Sequence, residues 1–244
     1  MSLNKNVWNH AGVDFGEYST LILSKSLKKL VVDSQATYLR FWGKILGTEK
    51  DYYIVEGSAP APESEVPRPE DFEPRGSGVN TLAYWVANSP DGDWKPLGDL
   101  EPKDLEAART FKVSFTGDLD REIVTNPFYF KKEAVYLRAQ IARITQCTKL
   151  MPAGIYRKKE DDPTEVEENV PEDADPPVAP IPSTEDMGSL SNWVHFGQNI
   201  LKCNRLRHMD VNPETEVPEG MEIEQVQAQV VAADPFEPRL KPIS

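Results

Sequence analysis

Leu23, Leu27, Leu30 and Val31 recur at helical spacing in "DFGEYSTLILSKSLKKLVV" and predict a helix with one apolar face. Lys25, Lys28 and Lys29 lie mostly on the other faces. Asp14 is placed to cap this helix, and Glu17 three residues on completes a capping-box pattern. In "TYLRFWGKILG" the period changes. Leu39, Phe41 and Ile45 alternate with Arg40, Trp42 and Lys44, with Gly43 between, which is the rhythm of a strand. "GTEKD" supplies a turn and "DYYIVEG" a second β-rich run, so residues 38–57 read as a hairpin. "GVNTLAYWVANSP" is the next strand.

Helical spacing returns in "DLEPKDLEAARTFKVSFTG", with Pro102 in the first turn and Leu105, Ala108, Phe111 and Phe115 as the expected buried face. Gly117 is the natural stop. From Lys132 to Thr145, Leu137, Ile141 and Ile144 fall on one stripe, while Arg138 and Arg143 lie off it. "KLMPAGIYR" reads as a short interrupted strand. "LSNWVHFGQNILKCNRLRHM" is a compact block, open between helix and strand, and the tail from Asp210 reads as extended. These elements do not alternate as βαβ units. The expected class is α+β: an antiparallel sheet with a few packed helices, interrupted by acidic, Pro-rich disordered or extended spacers.

Charge sharpens the division of the chain. Of 244 residues 39% are hydrophobic, and the net charge is −13. Residues 56–78, 160–186 and 210–238 together carry −23, so the remainder is basic by +10. The same three stretches hold fifteen of the 21 prolines. Such segments bury too little apolar surface to offset their ordering entropy. The organisation expected is a helix and hairpin over 1–55, a spacer over 56–78, and a strand and two-helix core over 79–159. A second spacer over 160–186, a second core block over 187–209 and an acidic extended tail over 210–244 follow, all within one domain. No apolar run approaches a membrane span. The N-terminus lacks the apolar stretch of a signal peptide, and there are only two cysteines, Cys147 and Cys203. A reducing intracellular compartment is expected.

Candidate chemistry is sparse. "DFG" at Asp14–Gly16 has too little chain before it to be the metal-binding tripeptide of a kinase. "GSG" at Gly76–Gly78 precedes a strand and lacks a third glycine. Cys203 and His208 make at most half a metal site. Arg138, Arg143, Lys149, Arg157, Lys158 and Lys159 could form a basic patch, which leaves a nucleic-acid-binding or protein-interaction adaptor as the alternative reading. Trp42, Trp85 and Trp94, with the arginines, have the bias of interface hot spots, and core packing explains the tryptophans equally well.

Four blocks carry a resemblance. "RFWGKILGTEKDYYIVEG" is similar to the block "RFWGKILG…DY.IVE" of the radial spoke head protein 4/6 family. "GVNTLAYWVANSPDGDWKPLGDLEPKDLEAARTFKVSFTGDLD" resembles the next block, and "YLRAQIARIT" and "LSNWVHFGQNILKCNRL" resemble the third and fourth, all in family order. The resemblance implies a non-enzymatic part of the radial spoke head on axonemal doublets of motile cilia and flagella, facing the central pair and helping to regulate dynein. It implies no cofactor, metal or catalytic residue. Implied partners are other spoke head proteins: a 4/6 paralogue or second copy, spoke head protein 9 and MORN-repeat spoke proteins, with transient contact to central-pair projections. Neither nucleic acid nor membrane is expected as a partner.

The motif residues carried over as structural are Arg40, Phe41, Trp42, Gly43, Gly47, Asn80, Gly117, Tyr136, Leu137, Ile141 and Trp193. Arg138, Arg143 and Trp94 are candidates for a partner interface. The family continues past "RLKPIS" into a further block. If that block supplies strands, a sheet edge here is left for a partner to cover.

Overall fold

Alternation and helical spacing become a layered first unit because each element has a single apolar face to bury. A computed structural model of the chain describes residues 15–58, 68–126, 128–161, 166–173, 179, 182–212, 216–218, 220–235 and 240–243. The chain divides into two compact units, Met1–Gln140 and Ile141–Ser244.

In the first unit, helix α1 (Gly16–Ser34) ends where Gln35 turns left-handed at φ 55°. Strands β1 (Leu39–Ile45), β2 (Tyr52–Ser58), β3 (Leu82–Ala87) and β4 (Lys95–Pro96) form an antiparallel sheet in sequence order. The register of β1 on β2 slips between Phe41 and Gly43, a bulge centred on Trp42. Leu23, Leu27 and Leu30 of α1 pack with Ala36, Val55 and Trp85, and Leu39, Phe41, Ala83 and Trp94 close over them. Burying each of these leucines contributes about 1.5–3 kcal/mol. Val31, expected on this face, is exposed, because the stripe at 23, 27 and 30 leaves it to one side. Asp14, the expected cap, lies outside the described residues.

Helix α2 (Pro102–Thr110) has proline at its start, and Asp104 Oδ2 accepts the Glu101 N–H at 3.1 Å. It ends at Thr110, seven residues before the expected stop at Gly117. Phe111 is extended, and the Tyr136 hydroxyl donates to Phe111 O (3.0 Å) and accepts from Val113 N–H (3.1 Å). A distant side chain thus satisfies backbone groups that a longer helix would have paired. Phe115 packs against the rings of Tyr52 and Tyr136. The hairpin β5 (Glu122–Thr125) and β6 (Tyr129–Lys132), not anticipated from the sequence, leads directly into helix α3 (Glu133–Thr148).

The buried side of α3 includes Leu137, Arg138, Ile141, Ala142 and Thr145, whereas Ile144 is 38% exposed. The buried stripe therefore advances in steps of four and not through Ile144.

Part of the first acidic stretch is also folded into this unit. Glu73 is buried and its carboxylate accepts the Val79 N–H at 3.0 Å. Asn80 donates to Glu73 O (2.7 Å) and Leu100 O (3.0 Å) and accepts from Leu100 N–H (2.8 Å). Local buried donors outweigh the composition of the segment.

In the second unit, β7 (Leu150–Pro152), β10 (Trp193–His195) and β11 (Lys241–Pro242) form a sheet in the order β11-β10-β7. A hairpin of β8 (Tyr156–Lys158) and β9 (Val166–Glu168) reaches into the second acidic stretch, with Arg157 paired to Glu167 at 2.7 Å. A short helix α4 (Thr184–Met187) starts from a capping box of Ser183 and Asp186.

The tail is not uniformly extended, contrary to expectation. Ile223–Ala233 forms helix α5, and β11 completes the sheet beside β10. Alanine, glutamine and glutamate favour helix here, and the acids at its start complement the helix dipole. The fold is α+β, as expected.

Candidate functional site

The best-defined cluster of functional groups surrounds one carboxylate, Glu133, at the start of α3. It has no solvent exposure. Its Oε1 accepts from the Tyr52 hydroxyl (2.8 Å) and from the N–H groups of Thr116 (2.8 Å) and Gly117 (3.2 Å). Its Oε2 accepts from Thr116 Oγ1 (2.9 Å) and pairs with Arg121 Nε at 3.2 Å. Burial, followed by this hydrogen bond and the glutamate charge, pushes the Tyr52 phenol well above its ordinary range. A carboxylate so fully saturated has no lone pair left for a substrate proton. Its chemistry is that of an anchor.

The anchor sits where two motif glycines meet. The turn after β1 is bonded to the loop before β5: Thr48 N–H donates to Phe115 O (2.8 Å), and the N–H groups of Glu49 and Lys50 both donate to Thr116 O (3.0 Å). A Cβ on Gly47 would lie 2.1 Å from Lys50 O, and one on Gly117 would lie 2.3 Å from the same oxygen. Gly117 also has φ +99°, which disfavours any side chain. Asn88, at the end of β3, donates to Asp51 O (3.1 Å) and Gly117 O (3.0 Å). The first and second motif blocks therefore converge on this site, at the start of the helix that carries the third.

Arg138 is 2% exposed. Its Nη2 donates to Val79 O at 2.9 Å, and its guanidinium stacks 4.4 Å from the centre of the Tyr84 ring. Burial lowers its pKa from the ordinary arginine value. The expectation that it faces a partner is corrected: within this unit it meets backbone and an aromatic ring. Trp94 is half-buried on the α1 core, and its Nε1 donates to Ser26 Oγ at 2.6 Å. Trp85 is buried and Trp42 half-buried. Arg143 is half-buried. With Arg138 buried and Arg157 held by Glu167, two members of the expected basic patch are already engaged.

The remaining motif residues occupy distinct places. Arg40 pairs with the buried carboxylate of Glu56 across β1 and β2. Phe41 packs edge-on against Phe15 at 5.5 Å, and a Cβ on Gly43 would meet nothing within 4 Å. Tyr136, Leu137 and Ile141 are buried along α3. Trp193, in the second unit, donates from Nε1 to Met187 O at 3.0 Å.

Sequence reasoning missed Glu133, Tyr52, Thr116, Asn88 and Arg121. The available signal was an acid outside the spacers, immediately before an apolar helical stripe. It also missed a second polar link, in which Lys131 Nζ pairs with buried Asp104 (2.7 Å) and with Glu101 (3.2 Å). Burial opposes the Lys131 charge, but the two carboxylates prevail and its pKa is raised. Burial, then Asp104, raises Tyr129.

No group of three or more His, Cys, Asp or Glu side chains among the described residues is arranged to hold a metal ion. Cys203 N–H donates to Asp234 Oδ2 (3.0 Å) and the His208 ring bonds Asp234 O (2.7 Å), so this pair is tied to a carboxylate residue. No helix among the described residues is long and apolar enough to cross a membrane.

A family model described as "Radial spokehead-like protein" matches residues 1–73 and 58–243. The chain is 30% identical to mouse radial spoke head protein 6 homolog A over 91% of its own length and 38% of the relative's. It is 33% identical to human radial spoke head protein 4 homolog A, over 85% of its length and 34% of that protein. It is 31% identical to flagellar radial spoke protein 4 of Chlamydomonas reinhardtii, over 80% of its length and 44% of that protein. The chain thus spans less than half of each of these relatives. A family model that matches nearly the whole chain, with relatives 30–33% identical over 80–91% of it, shows that the chain belongs to the radial spokehead-like family.

Proposed function

We propose that this chain is a non-enzymatic structural subunit of the radial spoke head in the axoneme of motile cilia or flagella. It assembles there with other spoke head proteins: a 4/6 paralogue or second copy, spoke head protein 9 and MORN-repeat spoke proteins. Through transient contact with central-pair projections it helps transmit the signals that regulate dynein-driven beating. The observation that carries this reading is the Glu133 anchor. Its five donors come from β2, the Thr116–Gly117 loop and Arg121, and its buried charge ties the first and second motif blocks to the start of α3. A site built to bind a substrate leaves polar groups converging on open space, whereas this one is closed. A saturated buried network favours stiffness, which suits a part that transmits load. The names of the matched relatives support the assignment to the spoke head.

The test is a pull-down of the tagged chain from detergent-extracted axonemes, with partners identified by mass spectrometry. Recovery of other spoke head proteins is the expected result. A chain that stays in the cell body, with no spoke protein attached, overturns the reading.

A further inference from the structure

The outer face of α1 is unlike the rest of the first unit. Its inner face, Leu23, Ser26, Leu27 and Leu30, is buried. On the opposite side Tyr18, Leu21, Lys25, Lys28 and Val32 follow one another at steps of three and four, with Lys29 beside them. This is the seam spacing of a two-helix coiled coil, and it runs over about 21 Å at 1.5 Å per residue. The apolar members are far out in solvent: Tyr18 is 77%, Leu21 56% and Val32 76% exposed. All three lysines are exposed, and none of their ammonium groups makes a hydrogen bond or ion pair with any described residue. The acids of the helix, Glu17 and Asp33, stand at its two ends and leave the middle of the stripe purely basic.

We infer that this stripe is a docking seam for an acidic amphipathic helix of a different polypeptide, a contact that rests on the spoke-head reading, which calls for partners but assigns none of them to this face. Charge selects the occupant. The lysines sit at the centre of the stripe, so a second copy of α1 sets lysine against lysine in either orientation. The chain carries −13 overall, which works against the polyanionic surfaces of nucleic acid and acidic lipid. A helix with Asp or Glu opposite Lys25, Lys28 and Lys29, and apolar side chains opposite Tyr18, Leu21 and Val32, satisfies both parts of the stripe.

The test uses the native complex, isolated through a tag from the cells that make it. Amine acetylation is compared between that complex and the purified full chain, with exposed Lys103 as reference. Protection of Lys25, Lys28 and Lys29 in the complex, with Lys103 unchanged, is expected. A carbodiimide, which joins an amine directly to a carboxylate, is expected to link these lysines to Asp or Glu of another protein, in a segment with apolar residues at steps of three and four. The surface double variant K25E/K28E should fold normally, as judged by its urea midpoint, and lose both the cross-link and that partner. Equal acetylation in the two states overturns the inference. So do cross-links confined to a second copy, or protection with no carboxylate cross-link. Co-sedimentation of the complex with axonemes decides the spoke-head reading separately, whatever the footprint shows.

Discussion

Replacing Glu133 with Gln keeps the side chain's shape but turns one of its two acceptor oxygens into a donor. That donor must then face either Arg121 or the N–H groups of Thr116 and Gly117. Breaking a buried charged network in this way costs about 3 kcal/mol. The urea midpoint of Glu133→Gln should fall with an unchanged denaturant slope; an unmoved midpoint shows that the anchor contributes nothing. The motif glycines separate by the same reasoning. Gly117→Ala must hold a positive φ, at about 1–3 kcal/mol, and must also displace Lys50 O. Gly43→Ala meets open space and should leave stability within about 0.5 kcal/mol. Thermal melts of the two variants check the contrast, and equal losses would contradict it. From the sequence both glycines look alike, since each is a motif residue near a strand. Only the approach of the Lys50 carbonyl distinguishes them.

Among the elements, α3 carries the clearest test. Leu137 is fully buried and Arg143 only half-buried. Leu137→Asp buries an unpaired charge and should unfold the first unit, read by loss of cooperative melting. Arg143→Glu should leave a folded chain that joins spoke heads poorly, read by the axonemal pull-down. Normal assembly of that variant removes Arg143 from any interface. The link from β6 to α2, together with the Tyr52–Glu133 bond, predicts a pH dependence. The folded-state pKa values of Tyr129, Tyr52 and Lys131 are all raised. Above about pH 10 the unfolded chain loses these protons first, so it binds fewer protons than the folded one and stability declines as pH rises. Below the unfolded values of 10.0 for the tyrosines and 10.5 for lysine the contribution is fully present. Urea midpoints between pH 8 and 11.5 should fall at the alkaline end, and less steeply in Tyr129→Phe.

Helix α1, the β1–β2 hairpin and the core of α3 were legible because each rests on the repeat of neighbouring side chains. The end of α2 was not. Phe111 and Phe115 fit the helical spacing, but Tyr136, 25 residues from Phe111, takes over the backbone at that point. Nor was the side on which Arg138 lies, because a guanidinium reaching Val79 O bridges 59 residues.

For the molecule as a whole, charge segregation is the dominant sequence property, and it yields a prediction of its own. If the acids of residues 160–186 keep spoke heads from sticking to one another or to the central pair, neutralising them should prolong those contacts and alter the beat. Repulsion of this kind is screened within about 8 Å at physiological salt. An unchanged beat and unchanged head-to-central-pair contact refute the idea. Composition by itself determined that the chain is a basic body broken by acidic, proline-rich stretches. Local periodicity located helices α1, α2 and α3 and the first three strands, and the order of four motif blocks pointed to its family. Tertiary structure decided which charges are buried. It selected Glu73 out of a segment that reads as spacer, placed Arg138 inside, and brought Tyr52 to Glu133 across 81 positions. Periodicity is a property of adjacent residues and is written in the sequence directly. The burial of a polar group depends on donors and acceptors delivered by distant parts of the chain, and these meet only when the fold closes.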